Sequence, residues 1–88
     1  MDYYLTQHAS DALEKRRITR EWMERILATP EWSEQDPIDG DLEHRLGRIA
    51  EFENRVLRVI VNVKARPLRI VTVYFDRRRK SDETESRP

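Results

Sequence analysis

Three features of this 88-residue chain predict an α+β fold, with two N-terminal helices packed on a small antiparallel sheet of three to four strands. Apolar residues recur at helical spacing between residues 5 and 29. They alternate at strand spacing between residues 42 and 75. An acidic stretch punctuated by Pro37 and Gly40 separates the two regions. The length allows a single domain, expected over residues 1–77, with residues 78–88 as a tail. There is no cysteine, hence no disulfide framework and no thiolate site. No apolar run approaches the length of a membrane helix, about 20 residues. Met1-Asp2-Tyr3-Tyr4 does not read as a signal peptide, so the expected location is the cytoplasm.

Taken in order, Tyr3-Tyr4-Leu5 offers a short first strand. Thr6 is placed to cap helix one, where Leu5, Ala9, Ala12, Leu13 and Arg16 follow a helical spacing. Asp11 precedes Lys15 by four residues, a pair worth ~0.3 kcal/mol. Helix two has the stronger start signal: Thr19 as N-cap, Ile18 before it and Met23 at the fourth helical position make a hydrophobic staple. Trp22, Met23, Ile26 and Leu27 form its apolar stripe, read as core and not as a ligand platform, and Pro30 stops it. Residues 31–41 read as an acidic loop.

Three strands follow. Leu42 to Phe52 alternates loosely, with Gly47 marking a bulge or a close backbone approach. Arg55 to Lys64 alternates cleanly. Leu57, Val59, Val61 and Val63 share one face, and Val56, Arg58, Ile60, Asn62 and Lys64 the other. Leu68 to Phe75 is apolar on both parities, the pattern of a strand covered on both faces. Glu53-Asn54 and Ala65-Arg66-Pro67 are hairpin-short connections, so these strands should run antiparallel. The sheet face away from the helices is expected to carry polar and basic side chains. Ser81 to Pro88 has no apolar residue to bury and is expected to be disordered.

The net charge is zero, 17 bases against 17 acids, but the signs are segregated. Residues 31–43 carry six acids and no base. Residues 44–80 carry eleven bases and three acids, a local net of +8. Such asymmetry points to polyanion binding, because a phosphate backbone feels the local patch. The competing reading is a set of arginines on a solvated strand face. A metal site has little support: His8 and His44 are the only histidines and are not ligand-spaced, and the acids lack a coordination pattern. With Gly40 and Gly47 the only glycines, there is no phosphate-binding glycine loop. No cofactor is expected.

RNA chemistry without a metal remains open. Cleavage at the 2′-hydroxyl needs a base, cations for the phosphorane and an acid for the leaving oxygen. His8, Arg16, His44, Arg45, Arg48, Arg58, Tyr74 and Arg77 supply those types. By strand parity His44 and Arg48 share one face and Arg45 lies on the other, so they cannot all converge.

His8-Ala9, Leu13 and Arg16-Arg17-Ile18-Thr19 resemble the "HA…M…RGIS" signature of an uncharacterised family of small bacterial proteins, a domain of unknown function. The second half of that family is similar to Glu43-His44-Arg45, Arg55 to Val61, and Ile70-Val71-Thr72-Val73-Tyr74-Phe75-Asp76-Arg77. The resemblance covers roughly residues 4–77. It implies a fold like the RelE, ParE and BrnT toxins, of which RelE- and BrnT-like members cut RNA and ParE-like members poison gyrase. Fold likeness alone does not select among these activities. The family's polar signature falls on His8, Arg16, Arg45, Asp76 and Arg77. Catalytic candidates are accordingly His8, Arg16, Arg45 and Arg77. Arg48, Arg58, Arg78, Arg79 and Lys80 are nucleic-acid-binding candidates. The implied partners are RNA or the ribosome and an antitoxin protein, with a monomer or weak dimer when free. A non-catalytic protein-interaction module and a general nucleic-acid binder are the rival readings.

Two positions depart from the family pattern. Ala12 stands where an arginine is usual, removing a cation from the helix face of His8 and Arg16. Arg17 stands where a glycine is usual, which strains the chain if helix one ends there in a left-handed cap.

Overall fold

In a computed structural model, residues 2–77 are described. The expected basic cluster at Arg78, Arg79 and Lys80 and the expected disordered tail lie outside them. The element order is β1 (Tyr3–Leu5), α1 (Gln7–Arg16), α2 (Arg20–Ala28), β2 (Trp32–Gln35), β3 (Leu42–Ile49), a 3-10 turn (Ala50–Phe52), β4 (Arg55–Asn62) and β5 (Leu68–Phe75). Among the described residues no helix is long and apolar enough to cross a membrane.

Both helix starts follow from their caps. The Thr6 hydroxyl accepts from the Ala9 N–H, and the Thr19 hydroxyl from the Trp22 N–H. The staple residues Ile18 and Met23 are both buried. Helix α1 ends in a Schellman motif: the Ile18 N–H reaches the Leu13 carbonyl and the Arg17 N–H the Glu14 carbonyl. Arg17 sits there at φ 57°, ψ 44°, so the left-handed conformation is borne by an arginine.

The sheet has five strands in the order β1-β5-β4-β3-β2, which corrects the expectation of three to four antiparallel strands. The first extra strand is β1, which pairs with β5 in parallel, Tyr3 opposite Leu68 and Leu5 opposite Ile70. The second, β2, lies inside the stretch read as an acidic loop. Its residues Trp32 and Glu34 alternate with exposed Ser33 and Gln35 and pair antiparallel with β3. Acids are poor strand formers alone, but here the one inward acid, Glu34, meets Arg58 of β4.

The expected strand Leu42 to Phe52 is shorter, because its last three residues turn into the 3-10 segment. Gly47 is not a bulge: β3 pairs with β4 without a break, Gly47 opposite Leu57. It is a close approach, since a Cβ there would lie 2.6 Å from Cδ1 of Ile26. The irregularity falls instead between β4 and β5. Ile60 faces Thr72 while Val61 faces Ile70, leaving Val71 as the extra residue.

Both helices pack on one sheet face. Ala9, Leu13, Met23, Ile26 and Leu27 meet Ile49, Leu57, Val59, Val61, Ile70 and Val73 in one core. Each large apolar side chain taken fully out of water contributes about 1.5–3 kcal/mol. A ring cluster of Trp22, Phe52 and Phe75, with centroids 5.0–6.2 Å apart, closes the end of this core near the 3-10 turn. The opposite sheet face is polar, as expected, but much of it is buried: Leu46, Val56, His44, Arg58 and Asp76 all fall in that class.

Candidate nucleic-acid interface

Among the described residues, three arginines of the chain's second half, Arg45, Arg48 and Arg58, are paired with acids within the fold. Arg58 is 5% exposed on the sheet face away from the helices. Its Nε donates to Oδ2 of Asp76 at 3.1 Å, its second terminal nitrogen donates to the same oxygen, and its first reaches Glu34 at 3.3 Å. Burial is the largest influence and works against its charge, but Asp76, Tyr74 and Glu34 together raise the guanidinium above its ordinary value. The same Arg58 nitrogen lies 2.6 Å from Nδ1 of His44, and Nε2 of His44 lies 2.7 Å from Asp36. An arginine can only donate, so His44 accepts at Nδ1 and donates its Nε2–H to Asp36. Asp36 is held below the ordinary carboxylate value by the Asp39 N–H first, then by His44 and the Ile38 N–H.

Arg45 and Arg48 are held likewise. Arg45 points toward the helices, as its parity implied, where Nη1 caps the Leu27 carbonyl at 2.8 Å and Nε pairs with Glu43 at 2.9 Å. Arg48 pairs with Glu31 at 2.9 Å and lies 5.7 Å from the Trp32 ring. Glu31, Glu34 and Glu43 of the acidic stretch thus fold back onto the strand arginines that follow them.

The remaining candidates separate into two places. His8 is exposed in the first turn of α1. It lies eight residues before Arg16, or about 12 Å along the helix axis. Arg16 and Arg77 come together in one groove, with Arg55 and Tyr74 beside them and Phe52 and Phe75 as its floor. The Schellman amides already occupy the carbonyls at the end of α1, which leaves Arg16 without a capping duty. Asp76 pairs with Arg58 on the far face of the sheet. Arg55 stacks at 5.0 Å over both Phe52 and Phe75, a cation–π arrangement that fixes its plane. Among the described residues, Arg16, Arg55 and Arg77 meet no carboxylate.

Arg55 was not among the sequence candidates. Strand register is what reveals it: Leu57 lies opposite Phe75, which brings Arg55, two residues earlier, to the end of β5. Among the described residues no His, Cys, Asp or Glu cluster could hold a metal ion.

The model of a domain of unknown function, DUF4258, matches residues 5–75, most of the chain and all of the groove except Arg77. The chain belongs to the DUF4258 family. Among curated proteins and among solved structures, nothing matches it. The DUF4258 match runs from the last residue of β1 to the end of β5, so it takes in both helices and strands β2 to β5. Ala12, the family-pattern departure on α1, lies in the core cluster of that domain and not at the groove.

Proposed function

We propose that this DUF4258 domain binds RNA through the Arg16–Arg55–Arg77 groove and acts there without a metal, in the manner of a toxin kept silent by an antitoxin. One observation carries the reading. Three guanidinium groups with no carboxylate partner among the described residues converge on one groove, in a fold that neutralises Arg25, Arg45, Arg48 and Arg58. Phosphate contacts of this kind position a nucleic acid, and they also match the charge that builds on a phosphorane during transesterification. His44, engaged on both ring nitrogens, and the distant His8 take no part. The succession of two helices and antiparallel hairpins supports the likeness to RelE- and BrnT-type toxins.

The test is a binding and cleavage assay on single-stranded RNA with chelator present. Arg16→Ala and Arg77→Ala should each weaken binding and lower the log–log salt slope by about 0.7. Discrete cuts that survive chelator and vanish in Arg16→Ala and Arg77→Ala would establish metal-free cleavage. Binding without cuts would reduce the reading to an RNA-binding module. Binding unaffected by either arginine variant would overturn the groove as the site.

A further inference from the structure

At the other end of β5, about 23 Å from the groove by strand rise, the sheet ends in a free edge. Among the described residues, strand β1 has β5 on one side and no strand on the other. The Thr6 N–H donates to the Ile70 carbonyl, and the register places Tyr4 opposite Arg69. Backbone groups alternate in direction along a strand, so those of Tyr4 and Thr6 turn toward β5 and those of Tyr3 and Leu5 turn outward. An edge of this kind is a template for another extended chain. The edge strand at the far side, β2, is equally free, but the charges around it are paired with Arg48, Arg58 and His44.

The surroundings of β1 are different. Arg20 and Arg66 line a shallow groove together with Asp2, Tyr3 and Pro67. Arg69 stands 6.0 Å from the ring of Tyr4, a large side chain left 56% exposed. Arg20 bonds the Tyr3 hydroxyl and Arg66 the Val63 carbonyl. None of the three cations meets a carboxylate among the described residues. We propose that the β1 edge docks an acidic, extended segment of another protein, which adds a sixth strand to the sheet beside Arg20, Arg66 and Arg69.

Strand addition supplies affinity through main-chain hydrogen bonds at Tyr3 and Leu5, and the arginines select the sign of the incoming side chains. A second copy of the chain is a poor occupant, because pairing β1 with β1 would bring two sets of these cations together. Nucleic acid lacks the strand-spaced amides and carbonyls that the edge offers.

The probe is an eight-residue, end-blocked peptide alternating glutamate and valine, with its lysine counterpart as control, read by amide NMR and hydrogen exchange on the full chain. The glutamate peptide should slow exchange at the Tyr3 and Leu5 amides at least tenfold, and the lysine peptide should not. The double variant R20E/R66E should lose the first peptide and bind the second. Both substitutions are at exposed positions, and a glutamate at the first residue of α2 suits the helix dipole, so the variant stays folded. Arg16→Ala should leave peptide binding unchanged, which separates this surface from the RNA groove. No shift at millimolar peptide, shifts that map to the groove, or binding that survives charge reversal would each overturn the proposal. So would a short single-stranded RNA displacing the peptide from β1.

Discussion

At the scale of single residues, an arginine's job is decided by what surrounds it. Arg58 and Arg77 are the same residue type, one in the middle of β4 and the other just past β5. Arg58 lies among Asp76, Glu34 and His44, where removing one partner would leave an uncompensated buried charge, at a cost of about 3–5 kcal/mol. Arg77 is exposed at the groove and has nothing to neutralise it among the described residues. Arg17 is a third case. It holds φ 57° in the Schellman turn, where a side chain is strained and glycine is not. Replacing Arg17 with glycine should therefore stabilise the domain by about 0.5–1 kcal/mol, a rise of several degrees in Tm measured by thermal melting. A fall in Tm would mean that the Arg17 side chain makes a contact worth more than the strain.

At the scale of elements, the close packing of α2 on β3 depends on Gly47. Its hydrogen faces Cδ1 of Ile26, and a methyl group there would intrude to 2.6 Å. Gly47→Ala should cost about 1–3 kcal/mol through overpacking. Ile26→Val removes the clashing carbon, so the two changes together should cost less than the sum of each alone in urea unfolding. Strict additivity would show that α2 shifts to make room and that the contact is soft. The elements themselves were read unevenly from the sequence. Caps and staples are local chemistry, so α1 and α2 began where Thr6 and Thr19 said they would. Strand β2 was hidden because nothing within Trp32-Ser33-Glu34-Gln35 outweighs its polarity until β3 lies beside it. The bulge at Val71 was equally hidden, since only the pairing with β4 defines an extra residue.

At the scale of the whole molecule, the segregated charges reunite on folding. Acids of residues 31–43 pair with β3 and β4, and Glu51 of the 3-10 turn pairs with Arg25 of α2 through two hydrogen bonds of 2.7 and 2.9 Å. The paired bonds from Arg25 lower the Glu51 carboxyl from an ordinary 4.5 to about 2, and Asp36 is also lowered. A carboxyl depressed by folding adds stability above its ordinary value and loses it as the pH falls through the folded one. The urea midpoint should hence fall as the pH drops from 4.5 to about 2. Glu51→Gln should flatten that fall while leaving Asp36 to titrate. Parallel curves for the variant and the parent would show that the exposed Arg25–Glu51 pair contributes nothing to stability.

The sequence by itself determined the two capped helices, the three long strands after residue 41, the inward row Leu57, Val59 and Val61, and membership of a family of unknown function. These depend on neighbours in the chain, or on a period of two or 3.6 residues, and both are visible in a string of letters. Only the tertiary structure decided which cations are spent and which are left over. Arg45, Arg48 and Arg58 meet partners two to twenty-four residues away, while Arg16, Arg55 and Arg77 are gathered from α1, β4 and the end of β5 into one groove. Charge pairing acts over a few ångströms of space and not over positions in the chain, so the site became legible once the strand register was known.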